Sequence, residues 1–169
     1  MNAADLWGLL GVFLGGAIPW LEAVVVIPAG IIAGLPVAPV ILAGAAGNLL
    51  TVAVAAFAWE WVRQKWSAWR RRRRQATGKA DDPEAEARRA ATAQKRRSRV
   101  ERIMNRGGLP LLALVGPLGV GTQLSAIVAV AAGARAWPAF LWIGGATLGW
   151  CIVAGVAAVQ GIELLGLIG

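Results

Sequence analysis

Residues 59–74 read WEWVRQKWSAWRRRRR, and within this stretch an apolar segment changes into a strongly basic one. All but one of the 17 Lys and Arg residues lie between Arg63 and Arg106, whereas the flanks of this block are almost free of ionisable groups. Long apolar runs of this kind are typical of segments in a lipid bilayer, and a block with so many cations could not enter hydrocarbon. The sequence therefore predicts a small integral membrane protein.

The composition narrows the possible functions. Apolar residues make up 57% of the 169 positions, which is high for a soluble domain, and the length predicts a single membrane domain, residues 1–169. There is no His and only one Cys, Cys151, so we expect no metal, no cofactor and no internal disulfide. No nucleophile–base pair is visible, and Gly116–Gly121 lacks the Lys of a phosphate-binding loop. An enzyme is therefore not expected.

The basic block predicts the orientation of the chain. Cytoplasmic loops collect Lys and Arg, so residues 63–106 are expected in the cytoplasm, beside a bacterial inner membrane. The aromatic and basic residues at its start are Trp59, Trp61, Trp66 and Trp69, then Arg70, Arg71, Arg72, Arg73 and Arg74. This order is typical of the lipid–water interface, so we expect the five arginines to contact anionic lipids. Nucleic acid is not an expected partner, because the charge is confined to this block.

A helix is predicted inside the basic block. Gly78 ends one helical stretch, and Asp81, Asp82 and Pro83 are residue types that begin another. The helix is expected over Glu84–Met104, with a surface that faces water or lipid headgroups.

The two apolar flanks, residues 1–62 and 107–169, share one pattern. Each begins with an apolar stretch that Gly and Pro interrupt, and continues with a longer apolar stretch. An offset of 99 residues superposes Gly34 on Gly133 and Pro39 on Pro138. We interpret the flanks as two repeats that enclose the basic insert.

Segment lengths predict how the repeats lie in the membrane. Asp5–Leu35 and Gly107–Ala134 hold roughly 30 residues each, too many for one crossing of about 20 and too few for two. Re-entrant hairpins of two half-length helices fit, with tips at Gly15–Glu22 and Gly116–Gln123. Such tips must face protein or water, because lipid cannot satisfy backbone amides.

The second part of each repeat, Val37–Val62 and Trp137–Gly166, is long enough to span the membrane. The predicted fold is thus an all-α integral membrane protein with two inverted repeats and a basic cytoplasmic helix. Each repeat is a re-entrant helical hairpin followed by a transmembrane helix. Because the repeats have opposite orientations, we expect the two tips to approach each other near the midplane.

One acid, Glu22, lies at the first predicted tip, next to Pro19. Acids inside a membrane are costly and commonly functional, so Glu22 is the main candidate for a proton or cation site. The alternative is an interfacial Glu22, which applies if the hairpin breaks at Pro28 instead.

The remaining candidates for the substrate or ion pathway come from the second tip and from two isolated polar residues. They are Asn48, Pro117, Gly119, Gly121, Thr122, Gln123, Ser125 and Arg135. The residues of the second tip are expected to face Glu22 and to expose amides at a helix start, which favour anionic groups. For Asn48 the alternative is a helix–helix hydrogen bond, and for Arg135 it is a side chain that reaches the interface.

Two stretches carry a resemblance to a known family. Glu22–Pro36, followed by Gly47–Asn48, resembles the first signature of the small multidrug export proteins, relatives of the DedA/VTT membrane superfamily. Gly116–Thr122, with Gly133, resembles the second signature. In two places the chain departs from the family pattern, with Ala23 where a basic residue is common and Gly119 where a second proline is common.

The resemblance implies opposed re-entrant hairpins and a transport role. In the DedA relatives that role involves polyprenyl-phosphate lipid carriers and proton-dependent drug tolerance. We expect a homodimeric exporter of small or amphiphilic compounds, coupled to a proton or ion at Glu22. The alternatives are a lipid flippase, in which Arg135 and the half-helix amides hold a phosphate, and a membrane assembly protein that transports nothing.

Overall fold

The computed structural model describes residues 2–19, 21–76, 83–119 and 121–164, and within these ranges the regular structure is entirely helical. The helices are α1 (Ala3–Ala17), α2 (Glu22–Ile32), α3 (Val37–Ala76), α4 (Pro83–Ile103), α5 (Leu109–Gly119), α6 (Thr122–Ala132) and α7 (Ala136–Leu164). One π-helical segment, Met104–Gly108, joins α4 to α5. The order of two short helices and one long helix occurs twice, before and after α4.

The short helices come in pairs that contact each other, α1 with α2 and α5 with α6. A capping box begins α1, in which Asn2 accepts a hydrogen bond from the Asp5 amide and Asp5 accepts one from the Asn2 amide. Helices α2, α5 and α6 have 11 residues each. A helix of that length measures roughly 17 Å and cannot cross a hydrocarbon core of about 30 Å.

Only α3 and α7, among the described helices, are long and apolar enough to cross a membrane. Much of their outer surface consists of exposed apolar side chains, among them Leu42 and Val54 on α3 and Leu141 and Ile152 on α7. A soluble monomer rarely exposes so much contiguous apolar surface. Lipid is the environment that fits these helices.

The sequence predicted a span that ends at Val62, but the structure shows that α3 continues to Ala76. Residues 63–76 contain no Gly or Pro and are mostly Arg, Gln, Ala and Lys, which are strong helix formers. The basic block therefore begins as an extension of a membrane helix. The helix predicted over Glu84–Met104 is observed as α4, and the span predicted over Trp137–Gly166 as α7, with Gly166 outside the described residues.

The first pair of short helices turns at Ile18–Leu21, between α1 and α2. The alternative break at Pro28 is wrong, since Pro28 lies inside α2. The second pair turns after Gly119, at the predicted second tip. Trp20 and Val120 in these turns, and Gly78, Asp81 and Asp82 before α4, lie outside the described residues.

Two apolar clusters form the core, and each involves one pair of short helices. Residues 40–45 of α3 and the second half of α7 pack with α1 and α2, as Val40, Ile27 and Ile162 illustrate. Residues 52–56 of α3 and the first half of α7 pack with α5 and α6, as Val52 and Ile143 illustrate. Helices α3 and α7 therefore run antiparallel, and the two short-helix pairs pack at successive levels along the apolar part of α3.

Helix α1 lies unusually close to α3. A Cβ atom on Gly16 would lie 2.5 Å from the carbonyl oxygen of Gly44, and one on Gly47 would overlap the carbonyl of Phe13. Small residues of this kind let two helix backbones touch, which is typical of helix contacts inside membranes. The contact holds the end of α1 against the apolar part of α3, next to Asn48.

Candidate functional site

The end of the first turn, the apolar part of α3 and the start of α6 together form a cluster of polar side chains inside the apolar bundle. We call it the polar cluster, and it consists of Glu22, Asn48, Thr51, Thr122, Gln123 and Ser125. The side chains of four of its members are almost inaccessible, with exposed fractions of 5% for Glu22, 0% for Asn48 and Thr122 and 1% for Ser125. Gln123 is buried as well, and Thr51 is half-buried.

Glu22 is the first residue of α2 and has an unusual backbone conformation, with φ at +40°. For a residue with a Cβ atom, this left-handed region costs on the order of 1 kcal/mol. Such strain is found mainly at functional sites, where the surrounding structure holds the residue in place. In this protein, the residue with the strained backbone carries a carboxylate that lies inside the helix bundle.

The Glu22 carboxylate is held by the second short-helix pair. Its Oε1 accepts a hydrogen bond of 2.5 Å from the backbone amide of Thr122, which lies 100 residues further along the chain. That amide belongs to the N-terminal end of α6, where free N–H groups and the helix dipole favour a negative charge. Gly121 permits the approach, because its φ is +92° and a Cβ atom there would lie 3.4 Å from the same oxygen.

Side-chain hydrogen bonds then join α6 to α3. Thr122 Oγ1 lies 3.0 Å from Asn48 Oδ1 and 3.1 Å from Gln123 Oε1. Gln123 donates from Nε2 to Thr51 Oγ1 over 3.1 Å, and the Thr51 hydroxyl donates to the backbone carbonyl of Asn48 over 3.0 Å. Asn48, Thr51, Thr122 and Gln123 thus form a continuous hydrogen-bond network between two helices that are distant in sequence.

Three buried polar atoms of the cluster have no hydrogen-bond partner among the described residues. They are Glu22 Oε2, Asn48 Nδ2 and Ser125 Oγ. An unsatisfied buried polar group costs about 1–3 kcal/mol, so native proteins keep few of them. Three within one buried cluster are therefore unusual, and they make the polar cluster the candidate functional site.

The other residues predicted for the pathway lie in different places. Pro19 is exposed in the first turn, and Pro28 is half-buried within α2. Pro117 and Gly119 lie in the last turns of α5. Arg135 follows the far end of α6, roughly 17 Å from Thr122 by the length of that helix. The structure therefore does not bring Arg135 to the polar cluster.

A second polar contact involves two residues that sequence reasoning missed. Glu60 Oε2 accepts a hydrogen bond of 3.2 Å from the Ala136 amide at the start of α7. Arg63 donates to the Val130 carbonyl near the end of α6 over 3.0 Å and lies 3.7 Å from Glu60. The sequence feature that could have identified this pair is the i,i+3 spacing of Glu60 and Arg63 at the end of an apolar run.

Thr51 was missed as well, although its position on α3 contains a signal. It lies three residues after Asn48, so both residues share one face of the helix. A polar pair with this spacing inside an apolar helix is uncommon, and it marks the face that meets α6.

The fold and the cluster define a class of protein, a small helical membrane protein with a buried acid between two pairs of short helices. The model of a family described as "Putative small multi-drug export protein" matches residues 22–153, which include the whole polar cluster. The chain belongs to this family, as the two sequence signatures had indicated, and the family is one of exporters rather than enzymes. The chain matches no curated protein and no solved structure.

The network predicts that two buried threonines respond differently to the loss of their hydroxyl groups. Thr122→Val should lower the free energy of unfolding by about 1–3 kcal/mol, because Asn48 and Gln123 lose a buried partner. Thr147→Val should cost less, because the Thr147 hydroxyl donates only to the Ile143 carbonyl of its own helix. Thermal denaturation of both variants in detergent checks this, and equal losses would contradict the network.

Proposed function

We propose that this protein exports small or amphiphilic compounds and that a proton or a monovalent cation bound at Glu22 drives the process. The observation that carries the proposal is the Glu22 carboxylate. One of its oxygens is held by the Thr122 amide, and the other is buried with no hydrogen-bond partner among the described residues. A charged acid at this depth is costly, and such residues commonly mark ion and proton paths.

The chemistry of the Thr122 hydroxyl supports a bound cation or proton. The hydroxyl carries one proton, so it can donate to only one of its two neighbouring oxygens, Asn48 Oδ1 and Gln123 Oε1. If the Asn48 amide turns by 180°, its NH₂ group donates to Thr122 and the conflict disappears. Asn48 Oδ1 then joins Glu22 Oε2 as a second buried acceptor. A single carboxylate balances one positive charge, which favours a proton or a monovalent cation.

We propose further that the two pairs of short helices are re-entrant hairpins and that the flanks form inverted repeats. Three features support this arrangement: the short helices cannot cross hydrocarbon alone, α3 and α7 are antiparallel, and the hairpins pack at different levels along the apolar part of α3. Asn48 lies roughly 17 Å along α3 from Val37, which is about half the thickness of a hydrocarbon core. The polar cluster would then lie near the midplane.

In this arrangement the basic segment lies in the cytoplasm of a bacterial-type cell, and both ends of the first hairpin lie outside. Cysteine labelling tests it in a Cys151→Ser background, since Cys151 is the only native cysteine. Ala4→Cys and Ala33→Cys should react with an impermeant maleimide from the outside, and Ser67→Cys only from the inside. Reaction of Ala33→Cys and Ser67→Cys from the same side would contradict the topology.

A homodimer is the assembly we propose. The protein's own helices enclose the Glu22 carboxylate, but Ile18, Pro19 and Leu21 of the first turn are exposed. Lipid cannot satisfy backbone groups of a turn, whereas a second copy packed on this side can shield them. A one-protomer mass by native mass spectrometry from lipid nanodiscs would contradict the dimer.

The geometry favours export over the transfer of polyprenyl phosphate. A flippase of the DedA type would use Arg135 and the α6 amides together to hold a phosphate. These groups lie at opposite ends of α6, and Glu22 already accepts from the Thr122 amide. The polar cluster therefore fits a cation or a proton better than it fits a phosphate.

A conservative substitution tests the role of Glu22. Glu22→Gln keeps the side-chain volume and the oxygen that accepts from Thr122, so the fold and oligomeric state should persist. Dye efflux from proteoliposomes should lose its pH dependence and fall roughly 5- to 150-fold, the range of a coupling free energy of about 1–3 kcal/mol. The measurement is ethidium flux at a series of pH values.

Glu163→Gln is the matched control, because Glu163 is exposed near the end of α7 and should leave flux unchanged. Full flux with unchanged pH dependence in Glu22→Gln protein would contradict the proposal. Flux of polyprenyl phosphate without any flux of dye in the unmodified protein would favour the flippase.

A further inference from the structure

A cavity of about 1080 Å³ lies beyond the apolar part of α3, and residues of α3, α4 and the end of α6 line it. Its charged lining residues are Glu60, Arg63, Arg70 and Arg71 from α3 and Arg88 and Arg89 from α4. Five arginines thus face a single glutamate. The family assignment and the polar cluster do not account for this concentration of positive charge.

An anion would stabilise the arrangement of arginines around this cavity. Arginines from two separate helices repel each other across it, and this repulsion opposes the approach of α4 to α3. Glu60 offsets only part of the charge, because one carboxylate faces five guanidinium groups. A negatively charged group among the arginines would remove the repulsion and join the two helices.

Two of the five arginines are available to such a group. Arg63 donates to the Val130 carbonyl, Arg70 lies 5.6 Å from the centre of the Trp66 ring, and Arg88 pairs with Glu84. Arg71 and Arg89 have no ion pair within the part of the chain that the structure describes. One is on α3 and the other on α4, so an anion between them would bridge the helices.

An apolar cleft of about 480 Å³ shares part of its lining with the basic cavity. Trp59, Val62 and Trp66 line it, with spacings of three and seven residues that place them on one stripe of α3. Arg63 and Arg70 line both spaces and mark their common border. The basic cavity therefore lies beside the apolar cleft, at the depth where tryptophans typically lie at a membrane surface.

We propose that the basic cavity and the apolar cleft together bind one anionic phospholipid. Its phosphate lies between Arg71 and Arg89, and an acyl chain runs along Trp59 and Trp66. Arginine suits this role, because its planar guanidinium makes paired hydrogen bonds to phosphate oxygens. The site is more specific than a general attraction of basic residues to a membrane, since it uses two arginines from different helices and leaves out others such as Arg72.

Two charge-neutralising double variants of the full-length protein test this site. Arg71→Gln with Arg89→Gln removes the two bridging cations, and Lys65→Gln with Arg99→Gln removes two exposed cations of the same helices that do not line the cavity. The readout is binding of phosphatidylglycerol by native mass spectrometry, from nanodiscs of phosphatidylcholine with increasing phosphatidylglycerol. Thermal denaturation verifies that both variants are folded.

The first variant should bind phosphatidylglycerol roughly 100-fold more weakly, because each arginine lost removes charge-assisted hydrogen bonds to the phosphate that contribute about a factor of ten. The control should change little. Equal weakening in both variants would show a diffuse basic surface and overturn the proposal, as would the absence of bound phosphatidylglycerol in the unmodified protein. Inorganic phosphate that binds as tightly as the lipid would overturn the role of the apolar cleft.

Discussion

The hydrogen bond between the Glu22 carboxylate and the Thr122 amide joins the two halves of this protein. One partner begins α2 and the other begins α6, so the turns of both short-helix pairs must meet for the contact to form. The positive φ of Glu22, the positive φ of Gly121 and the network that reaches Asn48 all lie around it. An acid that would be costly in hydrocarbon becomes a structural link, because a helix start is one of the few places in such an interior that favours a negative charge.

Small residues and the antiparallel long helices make this contact possible. Gly16 and Gly44 allow α1 to touch α3, which places the first turn beside the apolar part of that helix. The apolar part of α3 packs with one pair of short helices and then with the other, and each half of α7 packs with one pair. At the far end of α6, Arg63 binds a carbonyl near the end of α6 and Glu60 binds the first amide of α7, so α3 also holds the ends of these two helices.

Much of this arrangement could be predicted from the sequence, for reasons that are physical. The confinement of charge to residues 63–106 marks what cannot enter hydrocarbon, and Gly and Pro mark where short helices turn. The isolated acid Glu22 stands out because so few ionisable residues occur in the flanks. The sequence also placed Thr122, Gln123 and Ser125 opposite Glu22, and the structure brings these residues into one cluster. Their role in transport remains a prediction.

Other features could not be predicted, since they depend on partners distant in sequence. Every residue except proline has the same backbone amide. The identity of residue 122 therefore could not predict that its N–H donates a hydrogen bond to Glu22. Arg135 was a candidate for a phosphate contact because it is the only basic residue outside the block, but its distance from the cluster depends on the length of α6. The helical stretch predicted to end at Gly78 was not joined to the span predicted over Val37–Val62, although a change in charge does not stop a run of good helix formers.

The most direct test is a carbon–nitrogen distance measurement by solid-state NMR in lipid bilayers. In protein with ¹³C in the Glu side-chain carboxyls and ¹⁵N in the Thr amides, rotational-echo double resonance reports on carboxyl carbons that lie close to an amide nitrogen. A hydrogen bond from the Thr122 amide to Glu22 places its carbon roughly 3.5 Å from the nitrogen, so one Glu signal should dephase strongly and should disappear in Glu22→Gln protein. If no Glu carboxyl signal dephases, the two turns do not meet at Glu22 and the account is wrong.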